Sequence, residues 1–255
     1  VSHDLDVLQG QALLAEYRAH IFAYGADFGR QFGNWGEIRS GVQREQGHFR
    51  LKIGDPSSPN LPQEPPFNTR NYFVRFTYDR LDDVNFPHHG QQAMLQWSGE
   101  RSVSGVGQPS DQLTLNYIGA YSFGHDTLSL SASGGTTLQA RLTDINQLFP
   151  LGGFLNLSGL RADSLTGPNF GIARLLYYRQ IGRGGPGYLD VPTYLGLSLE
   201  AGNVWQARRD ARFSNTQKDA SLFLGLDTFL GPVYLASGFD EHGNQAFYLF
   251  LGRTF

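Results

Sequence analysis

Cysteine is absent from the 255 residues, which excludes disulfides and thiolate metal sites. Long apolar runs are absent as well: no segment approaches the roughly 20 residues that a membrane-spanning helix needs. A mean hydropathy of −0.32 does not by itself make the chain soluble. Strands of a membrane sheet alternate apolar and polar residues, so their average looks ordinary. Charge is scarce, at 17% of residues, with a net charge of −3 and a pI near 6.2. No global basic field exists to support nucleic-acid binding. The opening Val1-Ser2-His3-Asp4 carries no signal peptide, so in an exported protein it reads as the start of a mature or truncated segment. Catalytic arrangements are missing too: no G-x-S-x-G elbow, no H-E-x-x-H and no Gly-rich phosphate loop occurs.

What is abundant is glycine (32 residues) and aromatics (13%), a composition that suits a two-faced sheet. Segment after segment alternates with a period of two. Tyr72, Val74, Phe76 and Tyr78 share one face of a strand, opposed by Arg75 and Thr77. Ala93, Leu95 and Trp97 oppose Gln92, Gln96 and Ser98, and Leu128 and Leu130 oppose Ser129, Ser131 and Ser133. Leu195, Leu197, Leu199 and Ala201 oppose Ser198 and Glu200. In the last segment Phe247, Leu249, Leu251, Arg253 and Phe255 share a face, with Arg253 the one misfit. A soluble sandwich shows the same alternation with its apolar face inward. Runs of about 9–12 residues instead match a tilted membrane strand, and aromatics gather near strand ends as an interfacial girdle would.

Eleven or twelve strands are predicted, near 19–32, 36–53, 70–81, 90–101, 111–123, 126–138, 170–182, 193–206, 219–230, 232–241 and 245–255. Residues 8–18 (LQGQALLAEYR) fit either a strand or a short helix. Short turns such as Gly124-His-Asp126 alternate with longer connections at 54–68, 101–111 and 139–169, the pattern of an outer-membrane sheet. No domain boundary and no repeat is visible, so residues 1–255 read as one all-β domain, an antiparallel transmembrane β-barrel.

Candidate chemistry is sparse. His88 and His89, with His125 elsewhere, suit a solvated loop better than a metal site, because neighbours on a strand point oppositely. Asp79, Asp82 and Asp83 read as Asx turns before a cation site. Arg75, Arg101, Arg174 and Arg179 are expected in the lumen, since a lipid-facing Arg costs about 2–4 kcal/mol at the midplane.

Four segments resemble the barrel superfamily of the BamA and TamA assembly factors and the FhaC-type two-partner secretion transporters. Tyr78–Gly90 (YDRLDDVNFPHHG) is similar to the family's D-x-x-D…F-P-x-x-G hairpin. Phe149–Leu160 (FPLGGFLNLSGL) falls where the family has L-G-G…R-G-[FY] in a long loop folded back into the barrel. Leu197–Trp205 (LSLEAGNVW) resembles its D-A-G-N-V-W strand, and Thr228–Val233 leads into two final strands and a terminal Phe. The departures are Ser158 in place of the loop arginine, Leu160 in place of Phe or Tyr, and Glu200 in place of the strand aspartate. Ser158 cannot make the family's ion pair, so either Arg161 reaches Glu200 or hydrogen bonds hold the loop. The form of the Gly-Gly segment looks like the patatin-like, PlpD-like autotransporter branch of type V secretion.

The resemblance implies the C-terminal part of a sixteen-stranded barrel in the outer membrane of a Gram-negative cell. That barrel would anchor or export an N-terminal passenger behind a periplasmic domain. Its loop 139–169 would enter the lumen through a contact of Gly152, Gly153, Ser158, Gly159, Arg161 and Glu200. Phe247, Leu249, Leu251 and Phe255 would form the strand read by the outer-membrane assembly machinery. Lipid including lipopolysaccharide would surround it, and homo-oligomers are allowed. No cofactor and no enzymatic activity is implied for this segment. The alternatives are an insertase of other barrels and a soluble β-sandwich binding protein.

Overall fold

The computed structural model describes residues 2–9, 12–53, 66–105, 109–138, 148–183 and 191–252. Twelve strands form one sheet in which each hydrogen-bonds antiparallel to the next. They are β1 (Ser2–Gln9), β2 (Ala12–Phe32), β3 (Gly36–Ile53), β4 (Pro66–Asp79), β5 (His89–Gly105), β6 (Ser110–Phe123), β7 (Asp126–Thr137), β10 (Asn169–Arg183), β11 (Pro192–Trp205), β12 (Gln217–Thr228), β13 (Gly231–Asp240) and β14 (Gln245–Leu251). Between β7 and β10 a small hairpin, β8 (Phe149–Leu151) with β9 (Leu165–Gly167), stands apart as its own two-stranded sheet. Among the described residues β1 and β14 are the two edges of the large sheet.

The period of two sorts side chains as the sequence predicts. On β11, Leu195, Leu197 and Leu199 are exposed, while Tyr194, Ser198 and Glu200 are buried. On β12 and β13, Leu222 and Leu235 are exposed while Asp219, Ser221, Phe223 and Tyr234 are buried. A sheet whose leucines face out and whose serines and carboxylates face in inverts the soluble arrangement and matches a lipid-facing one. The outer aromatics lie in two bands, with Trp35, Tyr78, Tyr121 and Phe123 at one end and Tyr24, Tyr72 and Trp97 toward the other. Strands β2, β3 and β5 run 21, 18 and 17 residues, beyond the 9–11 or so that cross a bilayer.

One open reading is decided and two expectations are corrected. Of the segment open between strand and helix, Leu8 and Gln9 finish β1 and Ala12–Arg18 open β2, where pairing with β1 and β3 decides the mixed periodicity for the strand. Arg101 shares the outer face with Leu95 and Trp97, where it pairs with Asp111 at 2.9 Å. Arg179 is likewise on the outer face, 3.6 Å from Asp126 at the strand end. At strand ends the cost of an outward Arg falls to about 0–1 kcal/mol, so the lumen rule no longer applies. Arg75 does point inward and donates to Gln96 at 2.7 Å.

The 80–88 turn folds onto the inner face. Asp79 accepts the Leu81 N–H, Asp83 accepts those of Asn85 (2.6 Å) and Phe86 (2.9 Å), and Asp82 accepts those of His88 and His89. Burial works against the Asp82 carboxylate, but the His89 and His88 N–H groups outweigh it and hold its pKa below the ordinary value. The turn therefore stays capped in mild acid. It delivers Phe86, 3% exposed, to a stack on Tyr194 with centroids 4.2 Å apart, flanked by Tyr178 and Tyr234. Tyr178 donates to the Pro87 carbonyl, and Asn85 donates to Asp227 at 3.0 Å. Phe86→Ala removes this wedge. It is expected to cost about 3–5 kcal/mol and to lower the temperature at which the heat-modifiable band shifts on a gel, whereas Phe86→Leu should retain most of it.

Candidate functional site

Residues 148–168 form a strap between β7 and β10, with the β8–β9 hairpin at its base. Gly152 and Gly153 adopt φ of 126° and 103°, and a Cβ on Gly152 would run into the Arg161 carbonyl. Only glycine fits that crossing. Leu155, Leu157 and Asp163 also take positive φ (56°, 74° and 54°), which is uncommon outside glycine. Leu155 and Leu157 are nonetheless buried, so packing and hydrogen bonds must over-determine them.

The consequence of the left-handed turn at Leu157 is that successive N–H groups converge. Leu157 N–H (2.7 Å) and Ser158 N–H (2.8 Å) both donate to Glu200 Oε2, a small anion nest filled by a side chain. Ser158 Oγ donates to Glu200 Oε1 at 2.6 Å and Ser198 Oγ does so at 2.5 Å. The Ser158 hydroxyl oxygen also accepts the Leu155 N–H at 2.9 Å. Gly159 N–H donates to Asp219 Oδ2 at 2.6 Å, on the strand next to Glu200 and in register with it. Tyr248 Oη, from β14, donates to the carbonyls of Ser158 (2.9 Å) and Leu160 (2.6 Å). Beneath them Gly238 leaves room for the Ser158 carbonyl, which a Cβ would strike. Three consecutive N–H groups are thus taken by two carboxylates on neighbouring strands. Main-chain groups of the strap are satisfied by side chains of β11, β12 and β14.

Of the residues expected at this contact, the structure brings Ser158, Gly159 and Glu200 together at the sheet, while Gly152 and Gly153 lie within the strap against the main chain of Arg161 and Ala162. Arg161 is not among them. Its side chain is exposed, and the Glu200 oxygens are occupied by Leu157, Ser158 and Ser198. Hydrogen bonds, rather than an ion pair from position 161, hold the strap. The cation beside Glu200 is instead Arg174, directly opposite it on β10 and 8% exposed. Asp219, Tyr248 and Gly238 went unrecognised. Their inward parity was readable, but their meeting with the strap depends on contacts 60 and 90 residues apart.

An apolar layer seals the strap. Phe154 and Leu155 pack with Tyr234 and Phe223, continuous with Phe86 from the other end, and Leu151 and Leu157 pack on Ile172. Both Glu200 oxygens and Asp219 Oδ2 accept from amide or hydroxyl donors, so the arrangement is a latch, and the buried Asp219 Oδ1 is left without a hydrogen-bond partner. His88 and His89 lie against Tyr194 and Tyr121, and among the described residues no group of three His, Asp or Glu could hold a metal ion. Phe247, Leu249 and Leu251 project from the outer face of β14, 81%, 81% and 61% exposed. Phe255 lies outside the described residues.

No family model and no curated protein matches the sequence. Among solved structures, the chain is similar to the crystal structure of BamA from Haemophilus ducreyi lacking POTRA domains 1–3, with a TM-score of 0.71 and 12% identity. The match covers 97% of this chain and 56% of that one, so the chain spans little more than half of its length. The antiparallel sheet described here has the fold of the BamA barrel.

Proposed function

We propose that this chain is the membrane part of an outer-membrane translocator that anchors, and exports, an N-terminal passenger, as patatin-like autotransporters do. The observation that carries the reading is the sheet's inverted polarity combined with the latched strap. Leucines and aromatics cover the outside, and the interior is filled by residues 148–168 bound to Glu200, Asp219 and Tyr248. A strap held by many small contacts suits an interior that must stay closed around a passing or parked chain. Long connections such as 54–65 and 138–168 share one end of the sheet, which the reading places outside the cell. The passenger class rests on the form of Phe149–Leu160, and any hydrolase activity belongs to the passenger.

The test is display. A reporter fused ahead of Val1 and produced in a Gram-negative host should reach the surface, with the barrel in the outer-membrane fraction. A barrel that inserts while its reporter stays in the periplasm would refute export, and recovery in buffer without detergent would refute the membrane reading itself. A second reading, an insertase, is favoured by one observation: β1 and β14 share no pairing among the described residues, leaving a seam. Cysteine pairs scanned along these two strands are unambiguous in a cysteine-free chain. Sealing the seam after folding should leave display unchanged. Loss of the insertion of other barrels on sealing would decide for the insertase.

A further inference from the structure

On the outer face of the sheet, Arg44 of β3, Arg70 of β4 and Arg101 of β5 stand directly opposite one another in the register. Tyr24 of β2 continues the same row. Like charges directly opposite on neighbouring strands are destabilising, and Cα atoms there are only about 4.5–5.5 Å apart. Here three adjacent strands repeat the same charge at one height. The compensation within the row is small. Asp111 pairs with Arg101, Asn68 accepts from Arg44 at 3.0 Å, and Arg70 makes a long 3.5 Å contact to the Tyr72 hydroxyl. Among the described residues one carboxylate thus faces three guanidinium groups.

The row's position is as telling as its charge. One residue pair inward along the strands come Val42 and Tyr72, followed by Val74 and Trp97, all exposed on the same outer face. The arginines therefore sit immediately beyond the apolar belt, on the side of the 54–65 connection. An Arg there costs little in lipid and lies level with headgroups. Planar guanidinium forks match phosphate oxygens, and several in a row suit a ligand with more than one phosphate.

We propose that Arg44, Arg70 and Arg101 form a binding site for the phosphates of a phosphorylated glycolipid in the outer leaflet, the chemistry of lipid A. The site rests on the membrane reading above and on its orientation, with 54–65 outside. Acyl chains of the bound lipid would lie along Tyr72, Val74 and Trp97 while its phosphates bridge the strands. The lipid supplies the negative charge that the sheet does not, and the row in turn fixes the depth of β3–β5.

The experiment uses the full chain purified in detergent, with the double variant Arg44→Gln/Arg70→Gln and the conservative Arg44→Lys/Arg70→Lys. The probes are lipid A, bis-dephosphorylated lipid A and inorganic phosphate. Lipid A should bind the native chain, and the Gln pair should weaken binding by about tenfold or more. The Lys pair should retain most of it. Dephosphorylated lipid should not be retained, and inorganic phosphate should not displace lipid A. Unchanged affinity in a Gln pair that still shows native heat-modifiable mobility would overturn the site. Full displacement by inorganic phosphate would overturn the lipid in favour of a free anion. A cysteine at Ser57, labelled on intact cells by an impermeant maleimide, separates the two layers. Labelling with unchanged lipid A affinity defeats this site alone. Labelling only after lysis defeats the orientation, and the site with it.

Discussion

Glu200→Ala should release the strap: trypsin cleavage after Arg161 is expected to rise on the order of 100-fold, with a parallel rise in channel conductance. The size follows from what the substitution leaves behind. Two buried N–H groups, of Leu157 and Ser158, and two hydroxyls, of Ser158 and Ser198, lose their shared acceptor at once. A buried donor left unpaired costs about 1–3 kcal/mol, so a total of about 3–5 kcal/mol is reasonable even with partial relaxation. Arg174, buried opposite Glu200, also loses its neighbouring carboxylate. Glu200→Gln keeps the shape and one acceptor oxygen, and its amide can donate to the serine hydroxyls, so it should fall between. Arg161 is a convenient reporter because its side chain is exposed while the chain around it is held. Unchanged cleavage and conductance in the alanine variant would mean that Glu200 merely solvates the lumen.

The faces of the strands were legible because each inner and outer set differs in chemistry, not just in order. Leu195, Leu197 and Leu199 against Ser198 and Glu200 permits one assignment once the outside is lipid. The same logic misplaced Arg101 and Arg179. Both sit at strand ends, where the outside is no longer hydrocarbon and a carboxylate, Asp111 or Asp126, lies within reach. Residues 8–18 stayed open for another reason: Leu13 and Leu14 beside Tyr17 fit a helical stripe as well as a strand, and only pairing with neighbours decides. The latch was half visible. Ser158 and Glu200 could be proposed together from family resemblance, but the donors at Leu157 and Gly159 are main-chain groups and leave no signature in the side-chain sequence. Asp219 was hidden similarly. Its parity marks it as inward, yet its role depends on standing opposite Glu200, a register fact.

The two ends of the interior are closed by different physics. The 80–88 turn enters with an aromatic wedge and fixes itself through its own aspartates, so its shape is local and its docking is apolar. The strap enters with strained leucines and borrows carboxylates from the sheet, so its shape and its docking are the same interaction. Phe154 and Phe86 meet the common ring of Tyr234, which joins the two into one packed interior. Losing the wedge should therefore loosen packing without freeing the strap, whereas losing the latch should free the strap while the wedge stays.

Gly238→Ala provides the sharpest form of that distinction. A single methyl group there would strike the Ser158 carbonyl and carbon, which are main chain and cannot swing aside. The strap must lift off β13, and lifting it breaks the bonds to Glu200, Asp219 and Tyr248 together. The sheet itself should gain slightly, because alanine suits a strand better than glycine. The expected result is a barrel with native or higher resistance to heat, yet with Arg161 cleaved about as fast as in Glu200→Ala. Gly159→Ala should behave alike, since its added Cβ would meet the main chain of Asp240 from the other side. Because all three substitutions open one cooperative latch, combining Gly238→Ala with Glu200→Ala should add little beyond either alone. Additive cleavage rates in the double variant would show instead that the strap is held by independent contacts, each opening on its own.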